Sequence, residues 1–278
     1  MAQQQAKVAL VTGASSGIGT AVALALLERG YTVYGAARRV GRMQDLLARG
    51  AHVVPLDLTD PGSTDACVEL VLQREGRLDV LVNNAGYGSY GAIEEVPLEE
   101  ARRQFEVNLF GLARLTQLAL PAMRKQGVGH IVNVSSIGGK VFTPMGGWYH
   151  ANKHALEGWS DVLRMEVAPF GIRVIIIEPG AIATEWGGIA RDGLLATSGQ
   201  GPYQAQARAF ANMIKPDGRF AGSSPAVVAD TVVKALSARR PRTRYAVGQG
   251  ARPILLARAL LPDRVYDSLM RRVIRASA

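Results

Sequence analysis

The 278-residue sequence predicts a doubly wound α/β domain on a parallel sheet. Three observations carry that expectation. Short β-branched runs alternate with longer stretches at helical spacing, the order of strand–helix–strand crossovers. The strand runs are continuously apolar, as in strands covered on both faces. A glycine-rich turn joins the first strand run to the first helical run.

The elements follow in order. Lys7–Thr12 (KVALVT) reads as a buried strand. Gly17–Arg29 sets Ile18, Val22, Leu26 and Leu27 on one helical face, and Gly30 stops it. Thr32–Ala36 is the second strand, Arg42–Ala48 a short helix and His52–Leu56 the third strand. Pro61–Glu75 is helical, and Asp79–Asn83 (DVLVN) is the fourth strand. Leu98–Lys125 is a long helix, interrupted near Pro121. His130–Ser135 (HIVNVS), the helix Tyr149–Ala168 and Arg173–Glu178 (RVIIIE) continue the alternation. Pro225–Ala238 is a further helix, and Arg244–Val247 a seventh strand. Ala181–Ser224 is rich in Gly, Ala and Gln without a clear period and reads as a mobile flap. Residues 251–278 are apolar and basic at helical spacing. The expected organisation is one domain, 1–250, with the flap at 181–224 inside it. An amphipathic helical extension, 251–278, follows.

Composition excludes several classes. Hydrophobic residues are 48% and charged residues 20%, ordinary for a globular chain and unlike a disordered one. The single cysteine, Cys67, excludes a disulfide framework and a cysteine-built metal site. Histidines stand at 52, 130, 150 and 154, and only the last two form an i, i+4 pair, outside any HExxH context. No metal is expected. No run of 18 apolar residues suggests a membrane span, and Met1–Lys7 shows no secretory signal. The expected location is the cytoplasm, with peripheral membrane attachment as the alternative. The net charge of +9 is not spread evenly. Residues 234–278 hold 11 of the 32 basic residues and only two acids, Asp263 and Asp267. Such a tail faces either solvent or an anionic surface. It lacks a nucleic-acid motif and has few stacking aromatics, so no nucleic-acid partner is expected.

The first strand–helix turn is Thr12-Gly13-Ala14-Ser15-Ser16-Gly17-Ile18-Gly19. Its glycines let the backbone approach a pyrophosphate, and a helix N-terminus adds free N–H groups and the positive dipole end. Further along, Tyr149 and Lys153 stand at i and i+4 in YHANK, on one face of a helix. A free tyrosine has a pKa of about 10, and a neighbouring ammonium lowers it toward a working acid–base range.

Taken with Asp57-Leu58, NNAG at 83–86, Asn108, Ser136 and Pro179-Gly180 with Thr184, these motifs make the chain resemble the short-chain dehydrogenase/reductase family over nearly its whole length. The resemblance implies a single Rossmann-type domain with a seven-stranded parallel sheet. It also implies reversible hydride transfer between NAD(P) and an alcohol or carbonyl. By the same resemblance, Gly13, Ser15, Ser16, Gly17, Ile18 and Gly19 hold the pyrophosphate. Asp57 and Leu58 meet adenine, and Asn83, Ala85 and Gly86 border its ribose. Pro179, Gly180 and Thr184 meet the nicotinamide. Ser136 lies the family's usual 13 residues before Tyr149 and orients the substrate oxygen. Tyr149 is the acid–base, and Lys153 also reaches the nicotinamide ribose. Asn108 holds a water on a relay to Lys153. Ala37 stands where NAD-preferring members carry an acid, and Arg38 follows it. NADP(H) is therefore expected over NAD(H), with Arg38 on the 2′-phosphate. His150 is expected beside the site and not in the chemistry.

The substrate pocket is expected from Ile137, Val141, Phe142, Met145, Trp148, Ile182, Trp186, Ile189, Leu194 and Phe210. Their bulk favours a small hydrophobic carbonyl or alcohol. The VYGAARR stretch and the C-terminal extension are similar to the branch with 17β-hydroxysteroid dehydrogenases, retinol dehydrogenases and acyl-dihydroxyacetone-phosphate reductases. The resemblance also implies a homo-oligomer, dimer or tetramer. Two other classes stay open: a non-catalytic NADP-binding regulatory protein, and a membrane-associated lipid, retinoid or steroid reductase. In the tail, Val265, Tyr266, Leu269, Met270 and Val273 form one apolar stripe after Pro262. Packing on the body or a partner is the favoured use of that stripe, and a membrane interface the other.

Overall fold

The computed structural model describes residues 6–215 and 221–276. Seven parallel strands are β1 (Val8–Thr12), β2 (Thr32–Ala37), β3 (His52–Pro55), β4 (Val80–Asn83), β5 (Gly129–Val134), β6 (Ile172–Pro179) and β7 (Arg244–Val247). Their order in the sheet is β3-β2-β1-β4-β5-β6-β7. Alternate residues of each strand face opposite layers. Ala9, Val11, Val33, Val82, Val132 and Ile175 pack with α1 (Gly17–Leu27) and α9 (Ala226–Ser237). Val8, Leu10, Tyr34, Leu81, Ile131 and Val174 pack with α3 (Pro61–Glu75), α5 (Gly111–Gln126) and α6 (Gly147–Val167). Burial on both faces is why the strand runs are apolar throughout. The order reverses between β1 and β4, and the crevice at their carboxyl ends is where such sheets place ligands.

Two expectations about elements are corrected. The long helix does not break near Pro121, which lies inside α5. Pro121 and Gln117, whose carbonyl loses its helical donor, are both exposed, which leaves that carbonyl on the solvent side of the helix. The break comes earlier, as a π-turn at Glu106–Phe110 between α4 (Leu98–Phe105) and α5. Gly111 follows it because a Cβ there would strike the Leu58 carbonyl. The flap is also more regular than its sequence suggests. It forms α7 (Glu185–Ser198) and α8 (Gln204–Met213), while residues 216–220 of it lie outside the described residues.

The C-terminal segment forms α10 (Ala251–Leu260) and α11 (Asp263–Arg275), split at Pro262. It packs on its own subunit. Tyr266 is 1% exposed and donates to the Phe142 carbonyl at 3.2 Å. The Arg258 guanidinium lies over both rings, 5.3 Å from Phe142 and 5.4 Å from Tyr266. Ile274 and Val273 join the cluster built by α7 and α8. Val265 and Leu269, on the flank of the same stripe, stay exposed. A short helix α2 (Gln44–Ala48) between β2 and β3 completes the chain trace.

Candidate active site

The glycine turn is locked from behind. Thr12 Oγ1 donates to the Val82 carbonyl at 3.2 Å and accepts from the Asn84 and Ala85 amides, each at 3.0 Å. Asn84 Nδ2 donates to the Thr12 carbonyl at 2.9 Å. Gly13 and Gly17 have φ of 67° and 55°, values that favour glycine. A Cβ on Gly13 would stand 2.8 Å from Asn84 Nδ2, and one on Gly19 would strike the Gly13 carbonyl. The turn thus delivers the N-terminus of α1, and no side chain caps it. Its first amides, with Ser15, Ser16 and Ile18, are free for an anion.

Positive charge gathers beside that N-terminus. Arg38, at the end of β2, is exposed and has no carboxylate partner among the described residues. Arg39 donates to Ser16 Oγ at 3.2 Å and pairs with Glu185 at 3.5 Å. Arg42 pairs with Glu185 at 2.9 Å. These groups fit a phosphorylated dinucleotide: uncapped amides for the pyrophosphate, and guanidiniums without an acid at Ala37 for a 2′-phosphate.

Other cofactor-side positions keep their place at the sheet end, but several side chains are spent elsewhere. Asp57 Oδ1 accepts from the Thr59 amide at 3.0 Å and hydroxyl at 2.8 Å, so it closes its own turn. These bonds hold the Asp57 carboxyl below its usual range. Leu58 is buried in the core. The Asn83 amide is fully turned inward, donating to Thr116 Oγ1 at 3.1 Å and Asn133 Oδ1 at 2.9 Å. Only backbone of Asn83, Ala85 and Gly86 is left to border a ribose. Gly86 is required by Asn108, whose Oδ1 would lie 2.9 Å from a Cβ there. Gly180, after Pro179, has no room for a side chain against the Gln249 carbonyl. Thr184 lies against Gly17 across the crevice.

The residues expected to be catalytic lie just past the end of β5 and in the first turns of α6. Ser136 begins a short 3₁₀ turn, its Oγ accepting from the Gly138 amide at 2.9 Å. Its proximity also favours the Tyr149 phenolate, against the larger effect of burial. Ser135, by contrast, is 4% exposed and turned into the protein. Lys153 Nζ donates to the Val134 carbonyl at 3.0 Å, and burial pulls its pKa down to about 8. The expected lowering of the Tyr149 pKa by Lys153 is not what the chain's own groups produce. Burial dominates and pushes the phenol up to about 12. One of the three ammonium N–H groups is taken up by the Val134 carbonyl.

Asn108 is buried in the π-turn and bonds the Tyr87 backbone. Its Oδ1 accepts from the Tyr87 amide at 3.0 Å and its Nδ2 donates to the Tyr87 carbonyl at 2.8 Å. The side chain is held against the Tyr87 backbone, with one amide N–H and one oxygen lone pair left over. His150 is a strut. Thr143 N–H donates to Nε2 at 3.0 Å, so Nε2 carries no proton and Nδ1 donates to the Gly138 carbonyl at 3.0 Å. It spans the loop between Ser136 and α6.

Over Tyr149 sits an aromatic wall. Its ring lies 5.4 Å from both Tyr90 and Trp186, and Tyr90 stacks on Phe210 at 5.5 Å. Met145 and Leu194 join this cluster, as expected. Met145 sits at φ 67°, a strained value for a side chain with a Cβ. Ile182 packs instead on the β7 side of the sheet, and Ile189 is exposed.

The sequence profile described as short chain dehydrogenase matches residues 7–193. The chain belongs to that family. This short-chain dehydrogenase is 36% identical over 275 residues to an NADPH-dependent 3-dehydrocapnine reductase of Ornithobacterium rhinotracheale, covering 94% of this chain and 95% of that one. It is 34% identical over 272 residues to a 3-ketodihydrosphingosine reductase of Bacteroides thetaiotaomicron, covering 96% and 97%. A short-chain dehydrogenase from Streptomyces avermitilis superposes with a TM-score of 0.81 at 38% identity, covering 98% of this chain and 97% of that one.

Sequence reasoning about this short-chain dehydrogenase missed four groups. Thr12 and Asn84 lock the glycine turn. Tyr90 forms the centre of the aromatic wall. Glu185 crosses from α7 to Arg39 and Arg42. Only Thr12 and Asn84 carried a signal, because they stand inside the glycine turn and the NNAG motif already singled out.

Proposed function

We propose that the protein is an NADP(H)-dependent oxidoreductase that interconverts a hydrophobic ketone or aldehyde and its alcohol. The observation that carries this is the convergence of Ser136, Tyr149 and Lys153 beneath the apolar wall of Tyr90, Trp186 and Phe210. When bound, the dinucleotide supplies the hydride acceptor or donor. Ser136 holds the substrate oxygen. Tyr149 keeps its proton near neutrality and gives it to a nascent alkoxide. Lys153, buried behind it, supplies the positive charge that favours the phenolate once its amine is drawn toward the site. Glycine-turn amides and Arg38 hold the phosphates. A non-catalytic regulator would need neither Tyr149 nor Lys153.

Two supports bear on substrate and cofactor. The pocket wall is apolar and aromatic. The relatives named above are reductases of 3-dehydrocapnine and 3-ketodihydrosphingosine, one of them NADPH-dependent. A chain-bearing ketone therefore heads the substrate panel. The tail is read as a wall of this pocket, not a membrane anchor, because Tyr266 and Ile274 are buried on the body. No helix among the described residues is long and apolar enough to cross a membrane. The enzyme is read as a homo-oligomer by family likeness.

The test is NADPH consumption with a panel of 3-keto sphingoid bases, steroid ketones, retinal and aromatic ketones. Turnover of at least one hydrophobic carbonyl is expected. Tyr149→Phe is expected to cut it by about 10²–10⁴ while leaving NADPH binding near that of the parent. Retained turnover in Tyr149→Phe would overturn the assignment.

A further inference from the structure

The flap carries an acid into the phosphate end of the crevice. Thr184 lies against the glycine turn, so that a Cβ on Gly17 would stand 2.9 Å from its methyl. The next residue, Glu185, reaches 143 residues back in sequence to Arg42, both carboxylate oxygens lying 2.9 Å from one guanidinium nitrogen. It meets Arg39 at 3.5 Å, while Arg39 also donates to Ser16 Oγ at the start of α1. An acid in the first turn of α7 is favourable to that helix on its own. That accounts for a carboxylate there, but not for two guanidiniums aimed at it from the turn after β2.

We propose that Glu185 is a cofactor-discriminating latch. It holds α7 down over the glycine turn through Arg39 and Arg42, and it competes with the 2′-phosphate of a phosphorylated dinucleotide for those guanidiniums. This rests on the NADP(H) reading above. A phosphate brings a second negative charge and three acceptor oxygens, so it displaces a lone carboxylate from a guanidinium. A dinucleotide without that phosphate leaves the latch in place. Each ion pair is about half exposed, which makes the latch weak enough to be exchanged.

The experiment compares the parent and Glu185→Gln by fluorescence titration with NADPH, NADH and 2′,5′-ADP. Glu185→Gln is expected to bind NADPH and 2′,5′-ADP about two- to tenfold more tightly, the scale of two exposed ion pairs, with NADH changed less than twofold. Without any nucleotide, limited proteolysis within 181–224 is expected to run faster in Glu185→Gln, at an unchanged thermal midpoint. NADPH binding that is unchanged or weaker in Glu185→Gln would overturn the latch. So would an equal gain for NADH, which would mark a general charge effect. A parent protein that prefers NADH would contradict the cofactor reading itself, and the proteolysis arm would still judge the latch.

Discussion

Tyr149 holds its proton because the protein withholds water from it, and that sets the direction in which it works best. With burial pushing its pKa up to about 12, the phenol is an acid throughout the neutral range. Lys153, drawn down to about 8, is the group that titrates near neutrality. Below about pH 8 it is an ammonium, and above it the charge is lost. Carbonyl reduction is therefore expected to be level from pH 6 to 7.5 and to fall through pH 8. The Glu157 carboxylate, one turn along α6, raises the Lys153 pKa. Glu157→Gln is expected to move the falling limb to lower pH, read from initial rates at saturating substrate. A limb that does not move would show that another group titrates. Arg38 makes the second prediction at this scale. Arg38→Leu is expected to weaken NADPH about ten- to a hundredfold relative to NADH, since only NADPH offers it a phosphate. Calorimetric titration of both cofactors checks it.

At the scale of elements, α11 acts as a brace between the two halves of the pocket wall. Tyr266 holds the loop after Ser136 through Phe142, and Val273 and Ile274 hold the α7–α8 cluster. Tyr266→Ala removes a fully buried ring and is expected to cost about 3–5 kcal/mol by denaturant unfolding. The same variant is expected to lose activity on hydrophobic carbonyls while binding NADPH as the parent does. Full-length protein is expected to stay in the supernatant with anionic vesicles at low salt, because Tyr266 and Val273 of the stripe already pack on the body. The strands were legible in sequence, since parallel burial writes continuous apolar runs such as VALVT. The Tyr149 and Lys153 pair was legible from its i, i+4 spacing on one helix face, and Ser136 only through the family resemblance, by its usual 13-residue interval. The flap helices were not. Gly187, Gly188 and Gly193 interrupt the pattern of α7, and α8 buries Ala207, Ala209 and Ala211, small residues that leave little amphipathic signal. The π-turn at Asn108 was illegible because it serves a bond to Tyr87, 21 residues away. Glu185 was illegible for the same reason at longer range.

For the molecule as a whole, two histidines tie stability to pH. Burial, with Arg173 and Lys7 nearby, pushes His130 down to about 4, and burial also lowers His150. An unfolded histidine titrates near 6.5, so the unfolded chain takes up protons that the folded chain refuses. The contribution of His130 is full above about pH 6.5 and is lost as pH falls through about 4. The thermal midpoint is expected to be level from pH 7 to 8 and to descend across that lower window. His130→Gln is expected to flatten part of the descent, measured by scanning fluorimetry; an unaltered slope would assign it to other groups. Asp161, held low mainly by Arg244, gives way at still lower pH and does not confuse the two. The brace has a consequence in time as well as in space. Tyr266 meets Phe142 across 124 residues of chain. On a ribosome, which releases a chain from its N-terminus, the sheet and the glycine turn emerge first, and the pocket wall waits for α11. Until then the newborn protein presents Phe142 and the inner face of α8 to solvent, a transient apolar surface of the kind that chaperones bind.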